Sequence, residues 1–273
     1  NIIEKPFFLL YTINVSTYFG EVIYMKSSKI MKYFEQYVSN FDMNNGVVKM
    51  KYFHSLKSMD IARDIAINMG IFTDDEITLI ECIALFHDIG NFEQKSTFCM
   101  LEPREEDSTM KSIEVLFDEG LIRKITSDTK YDNIIKVAIY CHNKEGLPKK
   151  INEKAVYICN ILKDVHRLEE LRLVTNYPYI DNRITSYPTD VVYNDFKLFR
   201  LMDSKVSENN ADNILVYLSN IYGINYKYSY SLIKENNYIH KIINALSFGD
   251  DKVERFFRQI EVVLNTYIDK KIS

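Results

Sequence analysis

Apolar positions recur three and four residues apart almost everywhere from residue 25 onward, which is the period of an amphipathic helix. Ile30, Phe34, Tyr37 and Val38 mark a first helix. A second is expected to begin at His54 and to turn Leu56, Met59, Ile61, Ala62, Ile65, Ala66 and Met69 inward, with Gly70 as a left-handed C-cap. The stretch TDDE, residues 73–76, has the form of a capping box and opens a third helix through Ile77, Ile80, Ile83 and Ala84 to Phe86. A fourth is expected over about Thr109–Glu119, ahead of Gly120. Asp132 should cap a fifth that carries Ile134, Ile135, Val137, Ala138 and Cys141, and Asn152 a sixth from Glu153 to about Leu171.

The proline-punctuated segment NYPYIDNRITSYPTD, residues 176–190, sets the clearest internal boundary. Three or four helices are expected beyond it, the last with Val253, Phe256, Phe257, Ile260, Val263, Leu264, Tyr267 and Ile268 as an apolar stripe. The fold class is therefore all-α: a helical core over residues 25–175 and a C-terminal helical lobe over 176–273 packed on it. The run MKSSKIMKYFEQYV from Met25 reads like a chain start, so residues 1–24 are expected to be an extension outside the core.

Composition narrows the function classes. In 273 residues, 47% hydrophobic and 26% charged, there is material for a sizeable core. Only 8 glycines and 5 prolines argue against a turn-rich β-sandwich. A net charge of −4 with no Lys/Arg cluster gives no general attraction to nucleic acid, and the 20 tyrosines are not read as base-stacking platforms. No DNA partner is expected. Cys82, Cys99, Cys141 and Cys159 show no CxxC spacing and read as reduced thiols. The apolar run PFFLLYTINV is too short to span a bilayer and has no basic leader, so no targeting or membrane segment is expected and the location is read as cytoplasmic.

His54 opens a predicted helix, His87-Asp88 ends the next, His142 ends the fifth, and Asp164 lies within the sixth. Most of these positions lie where apolar helices meet loops, the rim from which side chains converge over the end of a bundle. Three imidazoles and two carboxylates suit a borderline divalent metal. Asp164 interrupts the buried side formed by Ile158, Ile161, Leu162, Val165 and Leu168, where a carboxylate is costly unless paired or metal-bound. His166, two residues on, points elsewhere on the helix and is read as ordinary, as is His240 in the C-terminal lobe. The blander reading of each remains: a polar helix stop at Asp88 and Gly90, a structural histidine at 54, a pocket-lining one at 142. The stripe from Val253 to Ile268 is core by default, with a homodimer contact as the alternative.

Four segments in order, FHSLKSMDIARDIA, ALFHDIGNFEQ, AIYCHNKEGLP and NILKDVHRLEEL, resemble the motif blocks of the HD-domain metal-dependent phosphohydrolase superfamily. The resemblance covers about residues 45–171. It implies an HD-like helical bundle with one firmly held divalent ion (Fe, Mn, Co, Mg or Zn) and room for a second. His54, His87, Asp88 and Asp164 would be the core ligands, and His142 matches the additional histidine of two-metal members. The implied reaction is hydrolysis of a phosphomonoester or phosphodiester by metal-activated water, often on nucleotides, with Asp88 in the catalytic centre.

Two positions depart from the pattern. Asn91 stands where a lysine usually follows HDIG, and Ser108 follows Asp107 where two-metal members carry a histidine. The second ion is thereby left short of a strong ligand, although Asp107 or Glu93 could assist it. Lys57, one turn from His54, is expected to act in catalysis and to meet the substrate phosphate in place of the cation missing at Asn91, and Lys144 and Arg167 are further phosphate contacts. The leading expectation is a phosphohydrolase acting on a small phosphorylated substrate such as a nucleotide. The alternative is a catalytically weakened module that binds metal and nucleotide for regulation. A third reading is a metal-free helical scaffold.

Overall fold

The computed structural model describes residues 20–93, 108–144, 146–176 and 182–273, with side chains from Ser28 onward. Among these residues twelve α-helices carry the fold, and the strands amount to one parallel pair of two residues each. The core comprises α1 (Gly20–Val38), α2 (Gly46–Met69), α3 (Asp74–Phe86), α4 (Ser108–Ile113), α5 (Leu121–Ile125), α6 (Asp132–Cys141) and α7 (Glu153–Asn176). The C-terminal lobe comprises α8 (Asp190–Lys197), α9 (Asn210–Leu218), α10 (Lys227–Glu235), α11 (Tyr238–Asn244) and α12 (Asp251–Ile272), with β1 (Arg183–Ile184) beside β2 (Ser247–Phe248).

The expected caps are present where a side chain can reach the free N–H groups. Thr73 and Glu76 close a reciprocal capping box, Asn152 accepts from Ala155 N, and Gly70 ends α2 at a φ of 65°. Three boundaries differ. Helix α2 starts at Gly46, capped by Asn45, so His54 lies two turns inside it and not at its beginning. Asp132 does not cap α6 but is its first residue, where it pairs with Arg123. Helix α1 begins at Gly20 and so runs through the division expected at residue 25; residues 1–19 lie outside the described residues, as do Cys99 and the acidic run 102–107.

Two features position the site. Helices α2, α3, α6 and α7 pack together, and α1 braces α3 through Phe34, whose ring meets Phe86 and Phe92 edge-on at 5.7 and 6.1 Å. Behind Phe86 the chain turns through His87-Asp88 into a 3-10 turn, Ile89–Glu93, laid directly on α4. A Cβ on Gly90 would come within 2.5 Å of Ser112 N, so only glycine permits that approach. The second feature is the seam between core and lobe, formed largely along α7 against α10 and α11. In α12 the buried stripe is Val253, Phe257, Ile260, Leu264 and Ile268, whereas Val263 faces solvent. No helix among the described residues is long and apolar enough to cross a membrane.

Candidate metal centre

His54, His87 and Asp88 converge in the interior, all buried. The Nε2 atoms of His54 and His87 lie 3.3 Å apart, and Asp88 Oδ2 is 3.5 Å from each. Ligands about 2.1 Å from a tetrahedral ion stand roughly 3.4 Å from one another. The triangle therefore has the size of one face of a coordination polyhedron. His142, also buried, approaches the other carboxylate oxygen, with Nε2 at 3.5 Å from Asp88 Oδ1. Asp88 thus stands between two positions, the His54–His87 pair on one oxygen and His142 on the other.

The outer nitrogens explain why the inner ones are available. Nδ1 of His87 donates to Ala84 O and Nδ1 of His142 to Ile139 O, each at 2.7 Å. Nδ1 of His54 faces Glu169 Oε2 at 3.2 Å, and Arg172 grips the same carboxylate with two bonds of 2.6 and 2.8 Å. A proton held at Nδ1 leaves Nε2 as a lone-pair donor, so all three rings present ligand nitrogens to Asp88. This donor set fits a divalent ion such as Fe, Mn, Co or Zn; its nitrogen content suits Mg less well.

Burial and neighbouring charges divide the two central imidazoles. For His54, burial disfavours the charged ring, but the hydrogen bonds to Asp88 and Glu169 outweigh it and raise the pKa to about 9. For His87, burial dominates, helped by His142 and His54 against the pull of Asp88, and the pKa falls to about 3. Burial also opposes ionisation of Glu169, yet its bonds with His54 and Arg172 prevail and hold it below the usual carboxylate range.

Asp164 does not join the cluster, which corrects the expected ligand set. Its Oδ1 accepts from Asn225 N and Nδ2, both at 2.8 Å, and its Oδ2 from Tyr226 N at 3.0 Å, so the carboxylate is spent on anchoring the C-terminal lobe. His166, read as ordinary, lies on the side of α7 nearer the cluster. Two residues along a helix rotate the side chain by about 200°, so only one of the pair can face the centre. The His166 ring lies 5.0 Å from that of His142 and 6.5 Å from that of His87, with Nδ1 3.6 Å from Glu170 Oε1. His240, also read as ordinary, pairs with Glu261 away from this region.

Lys57 is exposed, and the group whose titration it affects is Asp60, so it does not replace the cation missing at Asn91. Lys51, one turn before His54 and only 4% exposed, donates to Asn91 O at 2.5 Å and ties α2 to the turn behind Asp88. Ser108 is buried at the start of α4 and accepts from Ser112 through its carbonyl. Lys144 and Arg167 line a cleft of about 320 Å³ together with His142, His166, Glu170 and Tyr217, so the cleft opens beside the centre. Lys144 Nζ lies over the Tyr140 ring, 3.2 Å from its centroid. Sequence reasoning did not single out Lys51, Glu169 or Arg172 and read His166 as ordinary; the available signal was a carboxylate and an arginine three apart on α7.

Residues 52–172, a span that includes every member of this cluster, match the family model described as HD domain. Neither curated proteins nor solved structures gave a match to the chain.

Proposed function

We propose, from the match of residues 52–172 to the HD domain model, that the chain hydrolyses a phosphate ester, of a nucleotide or a related small phosphorylated metabolite, by attack of water on phosphorus at the His54–His87–Asp88 corner. The observation that carries this reading is the set of three imidazoles with Nδ1 anchored outward and Nε2 turned to one carboxylate. A bound divalent ion supplies the activation of that water and the neutralisation of phosphoryl charge. The protein supplies the rest. His54, His87 and Asp88 would hold a first ion firmly, while Asp88 Oδ1 and His142 offer a weaker second position. Glu169 and Arg172 fix the ring of His54, and Lys144 and Arg167 on the cleft wall receive phosphoryl oxygens. Cytoplasmic residence belongs to the same reading and is supported by buried free thiols at Cys82, Cys141 and Cys159. Val262 and Val263, exposed on α12, are the surface on which two copies would pair.

The test joins elemental analysis of the purified protein to a panel of nucleotides and model phosphate esters with added Mn, Co, Fe, Zn or Mg. Turnover is expected with at least one transition metal, and His87→Ala and Asp88→Ala should abolish both metal retention and turnover. Folded protein that binds metal yet turns over nothing on the panel would favour the second reading, a regulatory module. Asn91 and Ser108 motivate that alternative, which predicts calorimetric binding of a nucleotide with no phosphate released.

A further inference from the structure

His166 lies beside the metal corner, and the reaction proposed above gives it no part. Its ring centre is 5.0 Å from that of His142 and 6.5 Å from that of His87. The rings of His54 and His87, the first pair, stand 5.1 Å apart by the same measure. An ion about 2.1 Å from each imidazole nitrogen sets the centres of two neighbouring rings roughly 4.5–5.2 Å apart. His142 and His166 meet that spacing, whereas His87 and His166 exceed it. Asp88 divides the cluster in the same way: Oδ2 is 3.5 Å from His54 and from His87, and Oδ1 is 3.5 Å from His142. His166 therefore falls on the Oδ1 side.

Access differs between the two sides. The side chain of His87 is fully buried and that of His166 is 12% exposed, and His142 and His166 both line the cleft. Glu170, one helical turn further along α7 on the same cleft wall, places Oε1 3.6 Å from His166 Nδ1. That is wide of a hydrogen bond, yet a carboxylate on this side favours a proton on Nδ1 and leaves Nε2 as the donor nitrogen. We propose that His166 is a ligand of a second divalent ion, held by Asp88 Oδ1, His142 and His166, with its remaining position turned to the cleft. Three protein donors and one exchangeable position are the pattern of an ion that meets substrate. Two imidazoles in that shell favour Zn or Co over Mn or Mg. His166 thereby supplies the strong ligand that Ser108 withholds. The proposal rests on the metal reading of the corner and not on hydrolysis.

The probe is Co, titrated into the full chain stripped of metal by chelation and dialysis. Visible absorption records each step, and elemental analysis counts the ions. Two ions per chain are expected, the second weaker. His166→Ala should leave the first step intact and weaken the second about tenfold or more, the least that even an outer partner of a metal ligand is worth. His166→Asp, which restores a donor atom as oxygen, should recover the second ion with a smaller preference for Co over Mn in competition. Glu170→Gln should weaken the second step less than His166→Ala does. Circular dichroism verifies that each variant is folded. Two unchanged steps in His166→Ala would overturn the proposal, as would a single ion in the native chain. Loss of the first step in His166→Ala would move the residue to the first ion and overturn the assignment equally. Folded chain that takes up no ion would refute the metal centre and this ligand with it. Two ions bound as expected, with no ester turned over, would refute the hydrolase reading and leave His166 a ligand.

Discussion

Loading the centre with metal should expel a proton, and the number can be worked from the pocket. With its pKa near 9, His54 is protonated on about 99 chains in 100 near pH 7. Nε2 must be bare to donate to an ion, while Nδ1 keeps its bond to Glu169. Binding near pH 7 therefore releases about one proton from His54, whereas His87, with a pKa near 3, releases none. The gap of about two pH units weakens binding near neutrality roughly a hundredfold, or about 3 kcal/mol, relative to pH above 9. The assay is calorimetric titration of Mn or Co into metal-free protein in buffers of different ionisation enthalpy, between about pH 6.5 and 8.5. A slope near one proton per ion is expected, with log affinity rising about one unit per pH unit. Glu169→Gln removes a negative partner of His54 and should reduce the release. Proton release near zero across that range would refute the argument that Asp88 and Glu169 keep His54 charged in the empty pocket.

Asp164→Ala should leave metal stoichiometry unchanged while lowering stability by about 3 kcal/mol, since it strands the backbone donors of Asn225 and Tyr226 that its carboxylate satisfies; thermal unfolding with metal analysis separates the two effects. Arg172→Ala should weaken metal binding about 10- to 100-fold through the loosened Glu169–His54 contact, read by competition with a chromogenic chelator. Gly90→Ala drives a Cβ into the backbone of α4 and should cost about 3 kcal/mol or more of stability, measured by urea unfolding, and weaken metal retention with it. The two buried imidazoles should tilt the pH dependence of the metal-free chain in opposite senses. His54, raised from 6.5 to about 9, contributes stability that is full below about 6.5 and fades as pH rises through 9. His87, lowered to about 3, contributes stability that is full above about 6.5 and fades as pH falls toward 3, so His87→Gln should flatten the acid limb of a denaturation-midpoint profile.

The helical architecture was legible because the core helices advertise their buried faces by period and some of them their ends by caps, as at the Thr73–Glu76 box and the left-handed Gly70. His54, His87, Asp88 and His142 were singled out for a different reason, the order of four segments that resemble the HD-domain blocks, although His54 lies within α2 and not at the rim expected for it. Rotational phase along α7 was harder to read. Asp164 and His166 flank Val165, and both positions are compatible with the apolar stripe around them, so spacing alone cannot say which side chain faces α2. The answer lies in Asn225 and Tyr226, sixty residues downstream, whose donors claim Asp164. Glu169 and Lys51, both buried, were not singled out, because their partners, His54 with Arg172 and the Asn91 carbonyl, come from elements remote in sequence or from a backbone atom that leaves no trace in it.

Helix α7 presents Glu169 to His54, His166 and Arg167 to the open cleft, Lys163 to the Gly146 carbonyl, and Asp164 to the distal lobe. It therefore works as a camshaft, with each lobe of the cam set at a fixed angle to the others. Removing a single residue between 164 and 169 would twist one half against the other by about 100° and mistime every engagement at once, although no catalytic side chain had been deleted.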